Sequence, residues 1–144
     1  MSNSRTFIWI HAVWSTRNLS QLIHPKLERR LFRFIHEHLQ SLGCKVLIVN
    51  GASDHVHCLF RQNHKMALSD IIGPTKGLSS HYVNYHNLTS GKFAWQEGFE
   101  AVSVSHEELR NIFESIAAHP GIHETASFED ELNKLLEAVN PIHF

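Results

Sequence analysis

The sequence predicts an α+β fold: an antiparallel sheet with helices on one face, followed by two C-terminal helices. Apolar, β-branched runs and segments of helical periodicity follow one another in the order β-α-β-β-α-β. The composition is that of an ordinary globular protein, with 42% hydrophobic and 19% charged residues. The length of 144 residues suits one domain with its own core, so we take residues 1–144 as a single domain. The element order is that of the ferredoxin-like split βαβ fold.

The first half of the chain predicts a strand, a helix and a β-hairpin. The run "RTFIWIHAVWST" is apolar throughout, which is typical of a central strand covered on both faces. Pro25 opens a helix and Gly43 ends it. The runs "CKVLIVNG" and "HVHCLFRQ" are two strands joined by the polar turn "NGASD". The helix has apolar residues at helical spacing, namely Leu27, Leu31, Phe34, Ile35, Leu39 and Leu42.

The second half predicts a helix, a strand and two further helices. In "ALSDIIGPTKGLSSHYVNYHN" we expect Ser69 to cap the helix and Gly73-Pro74 to kink or restart it. The run "FAWQEGFEAVSVS" predicts a fourth strand with a bulge at Gly98. A short helix is expected from His106 to about His119, and "SFEDELNKLLEAVN" predicts the last helix.

Charge and cysteine content argue against several classes of protein. Lys and Arg total 13 against 14 for Asp and Glu, so nucleic-acid binding would need a local basic patch. Cys44 and Cys58 both lie in strand-like runs, which argues against a disulfide framework and favours a reduced, cytoplasmic location. We expect no membrane partner, since no signal pattern and no membrane-spanning apolar run is present.

Histidine is unusually frequent, with 13 residues, and occurs twice as a pair two residues apart. His36 and His38 lie on a helix, where such residues diverge, so we assign them a solvated-surface role. His55 and His57 lie on a strand and point to the same side, where they could bind one divalent ion. Asp54 could accept a hydrogen bond that orients one ring. Spacing alone leaves open a second interpretation, two half-buried histidines bonded to neighbouring backbone.

The segment "DHVHCLF" resembles the metal-binding strand of the HUH nucleases, and most closely that of the single-tyrosine transposases of bacterial insertion sequences, including their repeat-associated relatives. The resemblance covers nearly the whole chain. "FIWIHAVWSTRN" is similar to their first strand, "ALSDIIGPTKGLSSHYVN" to their second helix, and "FAWQEGFEAVSVSHEEL" to the passage before their catalytic helix. "SFEDELNKLL" is similar to the tail that follows.

The resemblance implies a function. Such enzymes bind hairpins in single-stranded DNA, and a divalent ion on the two histidines polarises the scissile phosphate while a tyrosine attacks it. It also implies Mg²⁺ or Mn²⁺ as cofactor, single-stranded hairpin DNA as partner, and a homodimer. In that dimer the catalytic helix and the histidine strand come from different subunits.

A gapless alignment places the family's tyrosine on Ser115 and its metal-binding glutamine on His119. His119 could therefore join the histidine pair. Serine is shorter than tyrosine and lacks a phenol pKa of about 10, so we expect strand cleavage to be impaired or absent. Tyr82 and Tyr85 are the chain's two tyrosines, and on the second helix a packing role is favoured over replacement of the nucleophile. The helix around Ser115 has a predicted buried stripe of Leu109, Ile112, Phe113, Ile116 and Ala117.

Further candidates for DNA contact are Arg17, Lys76, Lys92 and Trp95, since basic groups beside an aromatic platform suit single strands. For each, the alternative is a solvated charge or a core tryptophan. The sequence thus predicts a transposase-like protein that binds hairpin DNA with impaired cleavage. The alternatives are a metal-dependent hydrolase that activates water, and a domesticated DNA-binding regulator.

Overall fold

The computed structural model describes residues 4–118 and confirms the predicted α+β architecture. The elements are β1 (Trp9–Ser15), α1 (Pro25–Ser41), β2 (Lys45–Ala52), β3 (His55–Arg61), α2 (Leu68–Tyr85), β4 (Glu100–Val104) and α3 (Leu109–Ala117), with 3₁₀ turns at Arg17–Leu19 and His106–Glu108. The sheet has the order β2-β3-β1-β4, and all neighbouring strands are antiparallel. Within residues 4–118, no helix combines the length and the apolar character needed to span a bilayer. The predicted last helix lies outside the described residues.

The two faces of the sheet bury different residues. Side chains alternate along a strand, so even-numbered residues of β1 and β3 pack under α1 and α2, and odd-numbered ones face α3. This explains the unbroken hydrophobicity of the first segment, because β1 is central and covered on both sides. The strand residues under α1 and α2 are Ile10, Ala12, Trp14, Val56, Cys58 and Phe60, and those under α3 include Trp9, Ile48 and Leu59.

Helix α1 begins at Pro25 as predicted, but its apolar side chains cover a wider part of the helix circumference than predicted. Phe32, which was not predicted, is 2% exposed, whereas Phe34 is half-buried. The ring of Phe34 stacks on Tyr82 of α2, with centroids 4.6 Å apart. The helix therefore packs against the sheet and against α2, which needs apolar side chains over more of its circumference.

The assignment of His38 to the solvated surface is wrong. Its Nδ1 donates a hydrogen bond to Thr75 Oγ1 of α2 at 2.9 Å, and Thr75 in turn donates to the carbonyl of Ile71 at 2.7 Å. Thr75 is fully buried. Burial also lowers the pKa of His38. The side chain thus joins two helices.

Helix α2 starts two residues earlier than predicted and is continuous. Ala67 is the N-cap and Ser69 lies in the first turn, so Ser69 is not the cap. The helix passes through Pro74 without interruption. A proline ring normally clashes with the Cβ of the preceding residue, but Gly73 has none, and this permits helical backbone before the proline.

The fourth strand is shorter than predicted, because residues 97–99 leave the sheet. Trp95 forms an isolated bridge with Thr16, and regular pairing resumes only at Glu100. Gly98 has φ +82°, a left-handed conformation that glycine adopts readily. The Nζ of Lys76 donates to the carbonyls of Gln96 and Gly98 and holds this excursion. The predicted bulge at Gly98 is thus a loop. A shift in strand register does occur in the pairing of β2 with β3, between Val46 and Ile48.

Both cysteines are buried thiols in the sheet region. Cys44 is 5% exposed and Cys58 is fully buried. Burial raises the pKa of both thiols. At neutral pH neither side chain is a thiolate.

Candidate functional site

His55 and His57 project from β3 toward the face of the sheet that α3 covers. Both side chains are half-buried, and their ring centroids are 4.9 Å apart with an interplanar angle of 80°. Val56 between them is fully buried on the opposite face. The alternation of the strand therefore brings the two imidazoles together, as their spacing predicts.

Asp54 lies beside the first of these rings. The Nδ1 of His55 donates to Asp54 Oδ1 at 2.7 Å, and the two side chains are 28% and 32% exposed. A carboxylate that accepts from one ring nitrogen fixes the ring orientation and the tautomer, and it makes the other nitrogen more basic. Nε2 is then the nitrogen of His55 suited to bind a cation.

His11 is a third histidine at this site, and its place there was not predicted from the sequence. Its Nε2 lies 2.9 Å from Nδ1 of His57, and the rings stack with centroids 5.1 Å apart. His57 pairs with Val13 on β1, so His11 is its diagonal neighbour on the same face. The sequence shows His11 as a polar residue within the apolar run "WIHAVW", which marks it as unusual. Only the register of β1 against β3 places it beside His57.

Asn50 connects the histidine strand to α3 and was also not predicted. It lies directly across from His57 on β2 and is 1% exposed. Its Nδ2 donates to the backbone carbonyl of Ile116 at 3.0 Å. The C-terminal end of α3 is therefore held next to His57.

Helix α3 lies over the sheet of its own chain, with the predicted stripe facing inward. Leu109, Phe113 and Ile116 are buried, and Ile112 and Ala117 pack partly against them. Ser115 is exposed on the outer side, next to the residue that Asn50 holds. His119 lies outside the described residues.

The donor set of the described residues is suited to a cation but incomplete. Two imidazoles lie side by side, and in each ring Nδ1 is engaged by a neighbour, Asp54 or His11. Histidines that bind metals commonly have their second nitrogen bonded in this way. Among residues 4–118, however, no three His, Cys, Asp or Glu side chains are placed to hold one ion together. A cation bound here would need a third ligand from another part of the chain, a second copy or a bound molecule.

The four predicted DNA contacts lie in different surroundings. Arg17 and Lys92 are exposed, as a contact to phosphate requires. Lys76 is half-buried, and burial lowers its pKa, opposed by the nearby Glu97. Trp95 is 7% exposed and its Nε1 donates to Ser79 Oγ at 2.9 Å, so it is a core residue and offers no open ring face to a base.

The two tyrosines lie on α2, which covers the opposite face of the sheet from the histidine pair. Tyr82 stacks on Phe34, and its hydroxyl accepts hydrogen bonds from the guanidinium of Arg30 at 3.0 and 3.2 Å. Tyr85 is 71% exposed. Within this chain, neither tyrosine is near His55 and His57.

Comparisons with known proteins agree with this architecture. The family model described as "Transposase IS200 like" matches residues 4–119. Among solved structures, a protein described as a transposase from Deinococcus radiodurans R1 has a TM-score of 0.65 and 16% identity, over 85% of this chain and 98% of that one. A REP-associated tyrosine transposase bound to a REP hairpin has a TM-score of 0.59 and 15% identity, over 81% of this chain and 70% of that one. No curated protein matches the sequence significantly.

Proposed function

Because the chain belongs to the IS200-like transposase family, we propose that it binds hairpin-forming single-stranded DNA at the sheet face carrying His55 and His57. The observation that carries this proposal is the histidine network: two adjacent imidazoles, each with Nδ1 engaged, at the end of α3. The structural neighbour that was solved with a REP hairpin supports the choice of ligand.

His55 and His57, together with His119, are the proposed ligands of a divalent cation, Mg²⁺ or Mn²⁺. Such an ion would polarise a phosphate oxygen of the DNA. Asp54 and His11 orient the rings through their hydrogen bonds to Nδ1. Nitrogen donors favour Mn²⁺ over Mg²⁺, which prefers oxygen ligands, so Mn²⁺ is the better probe.

Strand cleavage through a covalent link to the protein is not part of the proposed function. Ser115 stands where the family's tyrosine is expected, and its hydroxyl would lie several ångströms short of a phenol hydroxyl at the same position. A displacement of about 1 Å already lowers the rate of such a reaction greatly. We therefore propose that the protein holds the hairpin without forming a phosphate ester.

A second candidate function is hydrolysis of the DNA strand by water. The Asp54–His55 hydrogen bond favours it, because the same orientation by a carboxylate occurs at metal sites that activate water. The two functions differ in their products. Hydrolysis releases a shortened DNA strand with no adduct, and binding alone leaves the DNA intact.

The protein is also proposed to act as a homodimer. Strand β4 is at the edge of the sheet, and Val102 on it is 61% exposed. An exposed apolar residue on an edge strand suits pairing with a second copy.

The experiment that tests the proposal compares three proteins on a labelled single-stranded DNA that folds into a hairpin, with Mn²⁺ or EDTA. They are the native chain, His57→Ala, and His81→Ala as a control, since His81 is an exposed histidine on α2. We expect the native protein and His81→Ala to bind the hairpin and Mn²⁺. His57→Ala should lose Mn²⁺ binding, measured by calorimetry.

Denaturing gels of the same reactions decide between the candidate functions. Intact DNA supports binding alone, and a shortened strand without adduct supports hydrolysis. A native protein that binds the hairpin no better than an unrelated single strand of equal length would refute the proposed function.

A further inference from the structure

A group of basic side chains lies at the far end of β3 from the histidine pair. Arg5, Lys45, Arg61 and Lys65 line a cleft of about 470 Å³, which we call the basic groove. The whole chain has a net charge of −1, so this is a local concentration and not a general property of the surface. No Asp or Glu of residues 4–118 lines the groove.

The two arginines are held in place. Their guanidinium carbons lie 5.5 Å (Arg5) and 5.3 Å (Arg61) from the centroid of the Phe7 ring. The segment that carries Arg5 and Phe7 is tied to the end of β3, since Gln62 N donates to the carbonyl of Ile8 at 2.8 Å. Cation–π contacts restrict the side chains before any ligand binds, which lowers the entropy cost of binding.

The loop that carries Lys65 is ordered by its own hydrogen bonds. Asn63 Oδ1 accepts from the backbone N–H of Lys65 at 3.0 Å, and Asn63 Nδ2 donates to the carbonyl of Leu42 at 3.0 Å. Lys65 itself is exposed. None of the four basic side chains forms an ion pair with a carboxylate within residues 4–118. Their charges are therefore not neutralised by that part of the chain.

An adjoining cleft of about 430 Å³ extends the groove. It shares Lys45 and Arg61 with the basic groove and adds His36 and Gln40 of α1. None of its lining residues in the described part is acidic either. The positive surface is thus longer than a single phosphate, and it suits a ligand with several successive negative charges.

The basic groove and the proposed DNA site lie at opposite ends of the same strand, β3. Arg61 and His55 are six residues apart on β3, so they project to the same sheet face about 20 Å apart. Helix α3 lies between them. In a duplex stem about 20 Å corresponds to roughly six base pairs, at 3.4 Å each. A hairpin held near His55 is long enough to reach Arg61.

We infer that the basic groove binds the sugar–phosphate backbone of the DNA, at a site separate from the histidine pair. Arginine forks pair with phosphate oxygens, and a cationic groove with an aromatic ring suits nucleic-acid backbone. This inference rests on the proposed function, which supplies DNA as the ligand. It adds a contact that provides affinity without sequence selectivity.

The test is the salt dependence of binding to a hairpin whose stem has about one helical turn of base pairs, roughly 10. The variant is Lys45→Gln with Lys65→Gln. The control is Lys26→Gln, which removes an exposed charge from the first turn of α1. The chain just before α1 is bonded to the β2–β3 turn, through Ile23 N and the carbonyl of Ser53, at the other end of the sheet from the basic groove. Each lost phosphate contact lowers the slope of log K against log salt by about 0.9 for duplex DNA. When the salt concentration rises from about 50 to 200 mM, the affinity of the variant for the hairpin should then fall less than that of the native protein, by about 3.5-fold for each lysine removed.

For the double variant we expect the slope of log K against log salt to fall by about 0.9 for each of the two lysines removed. Lys26→Gln should keep the native slope. A folded double variant with the native slope would overturn the inference but leave the proposed function intact. If the double variant fails to fold, Lys65→Gln alone decides by the same criterion, because its side chain is exposed. Polyglutamate of the same charge as the hairpin serves as a competitor. If it displaces the labelled hairpin as well as unlabelled hairpin does, the ligand of the groove is an acidic peptide and the inference is overturned. No hairpin binding by the native protein would refute the proposed function as well.

Discussion

The ring of His57 contacts two other histidines, one on its own strand and one on β1. If His57 binds a cation through Nε2, its proton is on Nδ1. It then donates to Nε2 of His11, whose own proton must be on Nδ1. In this pair of tautomers His11 accepts from His57, as Asp54 accepts from His55. His11 is a positioning residue in this arrangement.

Replacing His11 should weaken Mn²⁺ binding although His11 is not a proposed ligand. We expect His11→Phe, which keeps a ring but no acceptor, to lower the affinity for Mn²⁺ by about 10- to 100-fold. His11→Gln offers an amide oxygen at similar reach and should restore much of the affinity. Calorimetric titration measures both. Equal Mn²⁺ affinities for the native protein and His11→Phe would show that the hydrogen bond to His57 has no such role.

Ser115 allows the opposite experiment, in which a function is added. Ser115→Tyr places a phenol on the exposed side of α3, in the family's position for the nucleophile. We expect this variant, unlike the native protein, to form a covalent adduct with a hairpin-bearing single strand in the presence of Mn²⁺. A denaturing gel detects the adduct. Ser115→Phe is the matched control. An absence of adduct from Ser115→Tyr would mean that more than the nucleophile separates this protein from an active enzyme.

The contact between α1 and α2 depends on a titratable side chain. His38 donates from Nδ1 to Thr75, and it can do so whether or not the ring is charged. Burial nevertheless disfavours the charged ring and lowers its pKa. The packing of the two helices therefore tolerates the neutral form of His38 better than the charged form.

The sign of the resulting pH dependence follows from linkage. Burial lowers the pKa of His38 in the native protein below its value of about 6.5 in the unfolded chain. At a pH between these two values, His38 is protonated in the unfolded chain and neutral in the native protein. The contribution of His38 to the free energy of unfolding is thus complete above about pH 6.5 and falls as the pH drops. His38→Asn, which keeps a donor for Thr75, should flatten this decrease in urea titrations. His81→Asn is the control, and equal pH profiles for His38→Asn and the native protein would contradict the prediction.

The order of strands and helices along the chain could be predicted from the sequence because the apolar pattern of each element is regular. The pairing of His55 with His57 was predictable for the same reason, since it depends only on alternation within one strand. His11 and Asn50 could not be assigned to the site, because their positions depend on the register between strands. The sequence left Trp95 between a stacking platform and a core residue, since an aromatic residue beside lysines looks alike in sequence whether its ring is buried or open.

The basic groove was also beyond sequence analysis. Arg5, Lys45 and Arg61 are separated by 40 and 16 positions. Only the antiparallel pairing of β2 with β3, where Lys45 lies opposite Arg61, brings their charges together. The sequence established that a local patch would be needed for DNA binding, and the fold provides one.

Assembly into a dimer can be tested at β4. We expect Val102→Lys to weaken the proposed homodimer, because it replaces the exposed apolar side chain of the edge strand by a charge, which Ser103→Lys does not. Light scattering after size exclusion, over a range of concentrations, measures the mass. Ser103→Lys, an exposed change one residue along the strand, is the control. A native protein that is monomeric at every concentration would refute the dimer.

The burial of Cys44 and Cys58 makes the native chain a convenient host for chemical probes. A maleimide reacts with thiolates, and both native side chains are protonated and shielded, so a cysteine introduced at Ser115 would react almost alone. A fluorophore attached there would report, in real time and without removal of any native thiol, when DNA arrives at the outer surface of α3.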